Sequence, residues 1–373
     1  MKYKLKDLAQ LNQKSYSQKF GWKYLYYLDT GNITKNSIDS YQRFNSNDKK
    51  IPSRAKRVVK KGTIIYSTVR PNQLHYGLLD DIPDNLLVST GFTTIDVNPK
   101  FADNKYIYYY LTQDSITKSL QALAEQSVST YPSIKAEDIG EIEIELPPLE
   151  TQKKISRLIN SIDQKIKLNV EINDNLAMQV KSLYEDLIKD LDLDNIPRGY
   201  KLITLADIAD VQSGKRPSTR AENADEINIY PLVGAASIMG FTNEYNFNEK
   251  ILVTGRVGTH GIIQRFSTPC WASDNTLIIT SNYYEFTSQV LQHIDYRSMN
   301  RGSTQPLITQ SDLKKKQVVL PTLERLNEFE TSASTLMAAY DQNVENNKKL
   351  IDLRDTLLPK LMSGEIDVDS IEL

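Results

Sequence analysis

The sequence predicts an α+β protein in which two mixed α/β domains are separated by two long antiparallel coiled-coil helices, arranged as a pseudo-twofold tandem duplication. Three observations lead to this prediction. A stretch of about 60 residues matches itself without a gap when the 373-residue sequence is shifted by 174 positions. That stretch contains a heptad-like apolar pattern, and the blocks outside it contain β-branched runs of strand length. A repeat of this length indicates two domain-sized units and excludes a solenoid.

The repeat consists of short motifs that return at the same offset. They are Ser129-Thr130-x-Pro132-x-Ile134 with Ser303-Thr304-x-Pro306-x-Ile308, Leu146-Pro147-x-Leu149-Glu150 with Leu320-Pro321-x-Leu323-Glu324, and Asn169-Val170-Glu171-x-Asn173 with Asn343-Val344-Glu345-x-Asn347. We therefore expect a first domain over 1–145, a helix over 146–195, a second domain over 196–320 and a second helix over 321–373.

Both repeated segments are predicted to be helices of about 40 residues. Their apolar residues step by four and three, which is typical of a coiled-coil seam. The seam positions are Ile155, Ile159, Ile162, Ile166, Leu176, Val180, Leu183 and Leu187 in the first copy, and Phe329, Leu336, Tyr340, Leu350, Leu357 and Leu361 in the second. Because neither helix can bury its stripe alone, we expect the two to pack on each other.

Asparagines interrupt the seam near the middle of each helix, at Asn169 and Asn173 and again at Asn343 and Asn347. A polar residue at a seam position costs stability but fixes the register and the partner's orientation. Because the midpoints of an antiparallel pair face each other, the four asparagines favour the antiparallel arrangement. The alternative is a solvated break in an imperfect seam.

The two blocks mix short strands and helices. Strands are predicted over Gly62–Thr68, Leu86–Val97, Lys250–Gly255 and Thr276–Thr280, and helices over Tyr106–Leu111 and Phe286–Ile294. The tyrosines at 106, 108, 109 and 110 are expected to pack in a core. Outside their edges the blocks share little sequence, as expected if they recognise different targets.

The net charge of −2 conceals an uneven distribution along the chain. The blocks carry net charges of +4 and +2, whereas the repeated helices carry −2 and −6. The segment Arg43–Arg70 has nine basic residues and a single acidic one, Asp48. Such a run is a candidate nucleic-acid patch, although a solvated face is the commoner cause.

Composition excludes several classes of protein. A single cysteine excludes a disulfide framework, and no apolar run has the roughly 18 residues of a membrane span. No secretory signal is visible, so we expect a cytoplasmic protein. The sequence also has no phosphate-binding loop, since Ser213-Gly214-Lys215 lacks the upstream glycine and the hydroxyl residue after lysine. No metal-ligand spacing and no amino-methyltransferase tetrad are present, which favours a binding protein over an enzyme.

Two long repeated helices joined to two divergent blocks resemble the specificity subunit of type I restriction-modification systems. The most specific motifs are Leu146-Pro-Pro-Leu-Glu-Thr-Gln152 and Arg354-Asp-Thr-Leu-Leu-Pro-Lys-Leu-Met-Ser-Gly-Glu-Ile366, with support from Ile196-Pro-Arg-Gly-Tyr-Lys201, Gly302-Ser-Thr-Gln305 and Gln212-Ser-Gly-Lys-Arg-Pro-Ser218. The sequence departs from the family pattern where Lys215 and Arg216 replace small residues and where Leu326 replaces the glutamine matching Gln152. The first block has no clear copy of the loop at 212–218.

The resemblance implies that each block is a target recognition domain that reads half of a split DNA sequence. The helices would then set the spacing of the half-sites and dock two methyltransferase subunits, with restriction and motor subunits joining the complex later. S-adenosylmethionine, ATP and magnesium would belong to those partners, and this chain would have no catalytic residue. Two alternatives stay open: a stand-alone DNA endonuclease with an unrecognised carboxylate site, and a structural coiled-coil protein that binds only protein.

Candidate DNA-binding residues are basic or amide-bearing, because cations contact phosphates and arginine, asparagine and glutamine read base edges. The phosphate candidates are Arg43, Lys49, Lys50, Arg54, Lys56, Arg57, Lys60, Lys61, Arg70, Lys215, Arg216, Arg220, Arg256, Arg265 and Arg301. The base-reading candidates, all predicted in loops at strand ends, are Arg70, Asn72, Gln73, Arg216, Arg256, His260 and Asn275.

Overall fold

The computed structural model describes residues 2–126, 131–189, 196–299 and 307–371. The chain divides into two compact units: Met1–Leu168 with Asn346–Leu373 form unit 1, and Asn169–Glu345 form unit 2. The division runs through both repeated segments, so each unit contains one block and part of each helix. The domain boundaries drawn from the sequence stay a prediction. Part of the first repeat motif, Arg301 and the Gly302–Gln305 motif lie outside the described residues.

Both repeated segments are single long helices, as predicted, and shorter helices lie in the blocks. In chain order the helices are α1 (Leu5–Leu8), α2 (Asn104–Leu111), α3 (Asp114–Glu125), α4 (Ala136–Gly140), α5 (Leu149–Ile188), α6 (Tyr284–Gln292), α7 (Gln310–Lys314) and α8 (Leu323–Ser363). At ~1.5 Å per residue, α5 and α8 are each about 60 Å long. In the described part of the chain, none of the helices has the length and apolar character that a membrane crossing needs.

The strands of unit 1 are short and mostly antiparallel. They are β1 (Lys2–Lys4), β2 (Ala9–Leu11), β3 (Tyr24–Leu28), β4 (Ile33–Thr34), β5 (Ser37–Ile38), β6 (Gln42–Asn45), β7 (Ala55–Val58), β8 (Thr63–Ser67), β9 (Tyr76–Leu79), β10 (Leu86–Ser89), β11 (Phe92–Val97) and β12 (Glu143–Glu145). They form sheets in the orders β2-β11-β8-β9, β6-β3-β10-β7, β1-β12 and β4-β5.

Unit 2 has nine described strands, against twelve in unit 1. They are β13 (Lys201–Thr204), β14 (Ala209–Ser213), β15 (Tyr230–Val233), β16 (Ile238–Thr242), β17 (Ile251–Gly255), β18 (Gln264–Phe266), β19 (Trp271–Ala272), β20 (Thr276–Ser281) and β21 (Gln317–Leu320). Their sheets have the orders β14-β20-β17-β18, β16-β15-β19 and β13-β21.

The two blocks share one topology although their sequences have diverged. The sheet β2-β11-β8-β9 corresponds strand for strand to β14-β20-β17-β18, and β1-β12 corresponds to β13-β21. The remaining large sheets match in three strands, because β3 pairs in parallel with β10 and antiparallel with β6, just as β15 pairs with β19 and β16. The fourth strand of the unit 1 sheet, β7, has no counterpart among the described strands of unit 2. The duplication therefore covers the blocks as well as the helices.

Most local predictions for the blocks are confirmed. The predicted strands over 62–68, 250–255 and 276–280 correspond to β8, β17 and β20, and the predicted helices correspond to α2 and α6. The run Leu86–Val97 forms two strands, because a turn separates them in which Ser89 Oγ accepts a hydrogen bond from Gly91 N over 3.3 Å. The tyrosines of α2 pack in a core, with Tyr106, Tyr108 and Tyr109 buried.

Each unit packs its block against both long helices. In unit 1, Ile155 and Ile159 near the start of α5 share a core with Leu358 and Leu361 near the end of α8. In unit 2, the core combines the end of α5 with the start of α8; its helix residues are Val180, Tyr184, Leu187, Leu326, Phe329, Ala333 and Met337. Within each unit the two helices are therefore antiparallel, as predicted.

The predicted seam is wrong at Leu183. Its side chain is 39% exposed, and the neighbouring Tyr184 is buried in its place between Val180 and Leu187. From the half-buried Leu176 through the buried Val180, Tyr184 and Leu187, the seam positions step by four, four and three. This spacing is an 11-residue repeat of ~3.67 residues per turn, which is closer to the natural helix period than a heptad. A strict heptad therefore predicts the buried position at Leu183, one residue before the one that is buried, Tyr184.

Candidate DNA-reading surfaces

Loops at one edge of a sheet bring together most candidate residues of unit 2. Because β14, β20 and β17 are antiparallel neighbours, the end of β14, the start of β20 and the end of β17 lie at the same edge. The loops at this edge, which we call the reading end of unit 2, contain Lys215, Arg216, Arg256, His260 and Asn275. These five residues come from three separate parts of the chain.

Backbone hydrogen bonds connect the loops of this reading end. Arg256 N donates to Asn275 O over 2.8 Å, and Lys215 N donates to Ala272 O over 3.0 Å. The Trp271 indole Nε1 donates to Lys215 O over 2.7 Å. The candidate side chains therefore extend from a connected backbone frame.

Two glycines allow these loops to approach each other closely. A Cβ atom at Gly255 would lie 1.8 Å from Thr259 O, and one at Gly214 would lie 2.1 Å from Ser273 O. Such distances are far below any real carbon–oxygen contact, so neither position accepts a side chain without backbone movement. The glycine-rich sequence between β17 and β18 thus has a packing role, consistent with its lack of a nucleotide-binding spacing.

His260 is held in a fixed orientation at this end. Its Nδ1 donates to Gly255 O over 2.9 Å, since a carbonyl oxygen can only accept. Its Nε2 is buried and has no hydrogen-bond partner among the described residues.

Two other candidates in unit 2 already have protein partners. Arg265 lies in β18, and its guanidinium hydrogen-bonds both carboxylate oxygens of Glu285, at 2.5 and 2.8 Å. Burial is the largest single influence and lowers the pKa of Arg265, but the hydrogen bonds to Glu285 and the charges of Tyr284, Glu285 and Asp341 together outweigh burial, so the pKa is raised. Arg220 donates from Nη2 to Met239 O over 3.0 Å. Arg301 lies outside the described residues.

The long helices fix a block helix at the same repeat position in both units. In unit 2, Glu330 Oε1 accepts from Phe286 N at the start of α6 over 2.7 Å. Burial raises the pKa of the Glu330 carboxyl. The repeat-related residue in unit 1 is Ser156, whose Oγ donates over 2.6 Å to Oδ1 of Asp103, the residue that caps α2.

Unit 1 has a reading end of the same construction. Thr68 N donates to Gly91 O over 2.8 Å, and Ile134 N donates to Thr68 O over 2.9 Å. In unit 2, Ile308 N donates to Arg256 O over 3.0 Å. Because Ile134 and Ile308 are repeat partners, Thr68 and Arg256 occupy equivalent positions in the two units.

Three DNA-binding candidates of the first block, Arg70, Asn72 and Gln73, come just after Thr68 at this reading end. Asn72 and Gln73 lie in the 3-10 turn Pro71–Gln73, within the loop that connects β8 to β9. Arg70 precedes the turn with a φ of 49° and stacks its guanidinium 4.7 Å from the centroid of the Tyr131 ring.

The basic run Arg43–Arg70 does not form a single patch. Arg54 lies at the reading end, because its carbonyl accepts from Thr90 N over 2.9 Å. Lys60 and Lys61 precede β8 and so lie at the opposite end of that strand from Arg70. Lys60 Nζ is 3.6 Å from the Asp96 carboxylate.

The remaining candidates belong to the second large sheet of unit 1. Arg43 in β6 places its guanidinium 5.0 Å from the centroid of Tyr24. Lys56 and Arg57 lie in β7, and burial lowers the pKa of Arg57. The loop after β6 contains the last two, Lys49 and Lys50.

The asparagines of the seam make contacts between the helices. Within unit 2, Asn343 Nδ2 donates to Asn173 Oδ1 over 3.0 Å. Within unit 1, Asn347 Nδ2 donates to Ile166 O over 3.3 Å. Asn169 and Asn173 are buried, which contradicts a solvated break at these two positions.

Sequence reasoning missed a polar cluster that attaches the first block to both helices. Asp163 on α5 accepts hydrogen bonds from Tyr109 on α2 over 2.7 Å and from Arg354 on α8 over 2.9 Å. Both carboxylate oxygens are used. Burial lowers the pKa of Arg354, but its hydrogen bonds to Asp163 and Asp355 and the charges of these two carboxylates outweigh burial and raise the pKa. The sequence signal for this cluster is a pair of opposite charges, Asp163 and Arg354, each beside the apolar stripe of its helix.

Gln152, from the most specific motif, has a structural role. Its Oε1 accepts from Asp103 N over 3.0 Å, and its Nε2 donates to Pro147 O over 2.9 Å. Within the described ranges, no group of histidine, cysteine or acidic side chains could hold a metal ion.

Comparison with known proteins identifies the family. The family model for the type I restriction modification DNA specificity domain matches residues 1–178 and 197–353. The chain belongs to this family. It is therefore a type I specificity subunit, which supplies DNA sequence recognition to a restriction-modification complex.

Similar proteins cover nearly the whole specificity subunit. It is 22% identical to the type I restriction enzyme HindI specificity subunit of Haemophilus influenzae, over 91% of this chain and 94% of that protein. It is 25% identical to the MjaIX specificity subunit of Methanocaldococcus jannaschii, over 88% and 83%. A crystal structure of a type I system S subunit from M. genitalium has the same fold, with a TM-score of 0.58 at 20% identity over 97% of this chain and 95% of that one.

Proposed function

We propose that each unit of this specificity subunit reads one half of a bipartite DNA target. The observation that supports this is the duplicated reading end: the same sheet order presents basic and amide side chains from equivalent loops in both units. Arg70, Asn72 and Gln73 would read one half-site, and Arg216, Arg256, His260 and Asn275 the other. The loops differ in sequence, so the two half-sites would differ as well.

The long helices would set the distance between the half-sites. In each unit, α5 and α8 share a buried core, which supports a fixed distance over a variable one. Their repeated sequence would present two equivalent docking sites, one for each of two methyltransferase subunits. Restriction and motor subunits would join through that assembly.

The chain itself would be non-catalytic and cytoplasmic. Its family is that of the DNA specificity domain, whose role is recognition. S-adenosylmethionine, ATP and magnesium would be bound by the partner subunits. The family match does not favour the two alternatives, a stand-alone endonuclease and a coiled-coil protein without DNA. Incubation of the purified chain with DNA, magnesium and each cofactor tests this directly, since turnover by the chain alone would contradict it.

A methylation map gives the decisive test of the reading function. The genome of cells that carry the gene, compared with cells that lack it, should contain one additional methylated bipartite motif. Purified chain mixed with its methyltransferase should then bind a duplex with that motif and saturate at two methyltransferase subunits per chain. Saturation at one would contradict the two docking sites.

A further inference from the structure

Two loops of unit 1 cover one face of the sheet β6-β3-β10-β7 with aromatic side chains. Trp22 stacks on Tyr16 with ring centroids 5.2 Å apart and meets Phe20 edge-on at 5.1 Å. Tyr16, Trp22 and Ile51 pack against a small core beneath them, formed by Leu25, Tyr27, Ala55 and Leu87. The loops at 12–23 and 46–54 are therefore held together around one cluster.

The same two loops are rich in lysine. The two loops contain six basic residues and one acidic residue. Lys14, Lys19, Lys23, Lys49 and Lys50 are exposed and make no ion pair within the part of the chain that the structure describes. We call these five lysines, together with the 40% exposed Phe20, the lysine face.

The equivalent loops of unit 2 have the opposite character. The segments 214–229 and 243–250, which follow β14 and β16 as the lysine-face loops follow β2 and β6, contain four basic and five acidic residues. Their exposed apolar side chains include Ile227 (70% exposed), Ile229 (55%) and Tyr245 (46%), and the Tyr245 ring meets that of Tyr230 edge-on at 5.1 Å. Asp225 fixes this loop by accepting hydrogen bonds from Ile227 N and Asn228 N at 2.8 and 2.6 Å.

The lysine face is separate from the reading end of unit 1, and unit 2 has no equivalent of it. Both units have a reading end, but only unit 1 has a net positive surface at this second position. Lys19, Lys23, Lys49 and Lys50 lie before β3 and after β6, at the ends of these strands remote from the reading end, because β3 runs parallel to β10 and ends beside Val88.

We infer that the lysine face contacts phosphates of the duplex outside the half-site read by unit 1, and that unit 2 makes no equivalent contact. Unpaired lysines bind phosphate without regard to sequence, and a duplex presents a continuous row of phosphates on either side of its target. The bound DNA is then held asymmetrically, with a longer footprint beside one half-site. This inference rests on DNA recognition by the chain.

The test uses the full chain and the bipartite duplex found by methylation mapping, in two versions: with long flanks, and trimmed beside the unit 1 half-site. One variant combines Lys19→Gln with Lys23→Gln. Its matched control combines Lys100→Gln with Lys118→Gln, which removes the same charge from exposed positions elsewhere in unit 1. A third variant combines Lys19→Arg with Lys23→Arg and keeps the charge.

On the long duplex, the slope of log affinity against log salt should fall by about 0.9 for each lysine that contacts phosphate in the glutamine variant. The slope should not change in the control or the arginine variant. Trimming should weaken binding of the original chain and leave the glutamine variant unaffected, because its flank contact is already lost.

An unchanged slope in the glutamine variant, with normal binding by the original chain, would overturn the inference and leave the proposed function intact. So would an unchanged slope together with weaker methyltransferase binding, which would make the lysine face a protein contact. Failure of the original chain to bind the target duplex would instead count against the proposed function.

Discussion

Asn173 donates a hydrogen bond from Nδ2 to Tyr340 O over 3.2 Å, and its repeat partner Asn347 donates one to Ile166 O over 3.3 Å. Ile166 and Tyr340 are themselves related by the repeat offset of 174 positions. The same side chain thus bonds the same carbonyl in unit 2 and in unit 1. The bond fixes the register of the two helices, since a carbonyl one residue away would be out of reach.

Replacing Asn173 by alanine should destabilise the protein. The side chain is buried, and its loss leaves Tyr340 O and the Asn343 amide without these partners. An unsatisfied buried polar group costs about 1–3 kcal/mol, and urea unfolding would measure this as a lower midpoint. Asn175→Ala on the exposed face of α5 is the matched control, and an equal loss there would contradict a register role.

Replacing Arg256 or Asn275 should change recognition of one half-site only. Both lie at the reading end of unit 2, joined by a backbone hydrogen bond, and a good base contact is worth about 1–3 kcal/mol of discrimination. Affinity for a set of duplexes with single changes in each half-site would measure this. Arg70→Ala should relax the other half-site, and relaxation of both by a single change would show that the loops do not read independently.

The basic run of unit 1 should divide into two functional parts. Arg54→Gln with Lys56→Gln should lower the slope of log affinity against log salt by about 0.9 for each lost phosphate contact. Lys60→Gln with Lys61→Gln removes the same charge at the opposite end of β8 and should leave the slope unchanged. Equal effects of the two variants would show that DNA spans the whole run.

Glu330 should make stability depend on pH. Burial raises the pKa of its carboxyl above the ordinary value of 4.5, so the folded state favours the protonated form. Its contribution is fully present below the ordinary value and declines as the pH rises through the folded value. The difference in unfolding free energy between the original chain and Glu330→Gln, which cannot ionise, should therefore fall as the pH rises from 4.5 towards neutrality. A difference that grows over this range would reverse the sign of the argument.

The helices should act as a ruler. Seven residues inserted after Glu171, and seven more after Glu345, keep the helical phase and lengthen both helices by about 10 Å each. At ~3.4 Å per base pair this adds about three base pairs between half-sites. Methylation mapping should return the same half-site sequences at the wider spacing. Modification at the original spacing by a folded variant would show that the helices do not set the distance.

The sequence was sufficient for the features that local pattern determines. The repeat and the apolar steps predicted α5 and α8, because both depend on spacing along one segment. The common topology of the blocks could not be predicted, since strand order depends on contacts between distant segments and different residues can fill the same core. Tyr184 is buried in place of Leu183 for a related reason: its ring packs against Phe286 of the block and Phe329 of α8, and these contacts between distant segments are not visible in the local spacing.

The sequence names candidate residues for the site but does not give their arrangement. Lys60 and Arg70 are close in sequence yet lie at opposite ends of β8, because a strand separates its two ends in space. Charge alone makes Arg265 a candidate for phosphate contact, but its guanidinium donates to Glu285, a partner 20 positions along the chain that no local pattern indicates. Charge runs predict that a surface binds an anion, whereas the sheet order decides which residues share that surface.

The division of the chain has a consequence for folding during synthesis. Unit 2 is a continuous segment, so all of its residues have been made once Glu345 is added. Unit 1 needs Leu358 and Leu361 for its core, and these are translated after the whole of unit 2. Unit 1 therefore cannot complete its apolar core until residues that follow the whole of unit 2 in the chain have been made, whereas unit 2 has all of its core residues in one continuous segment.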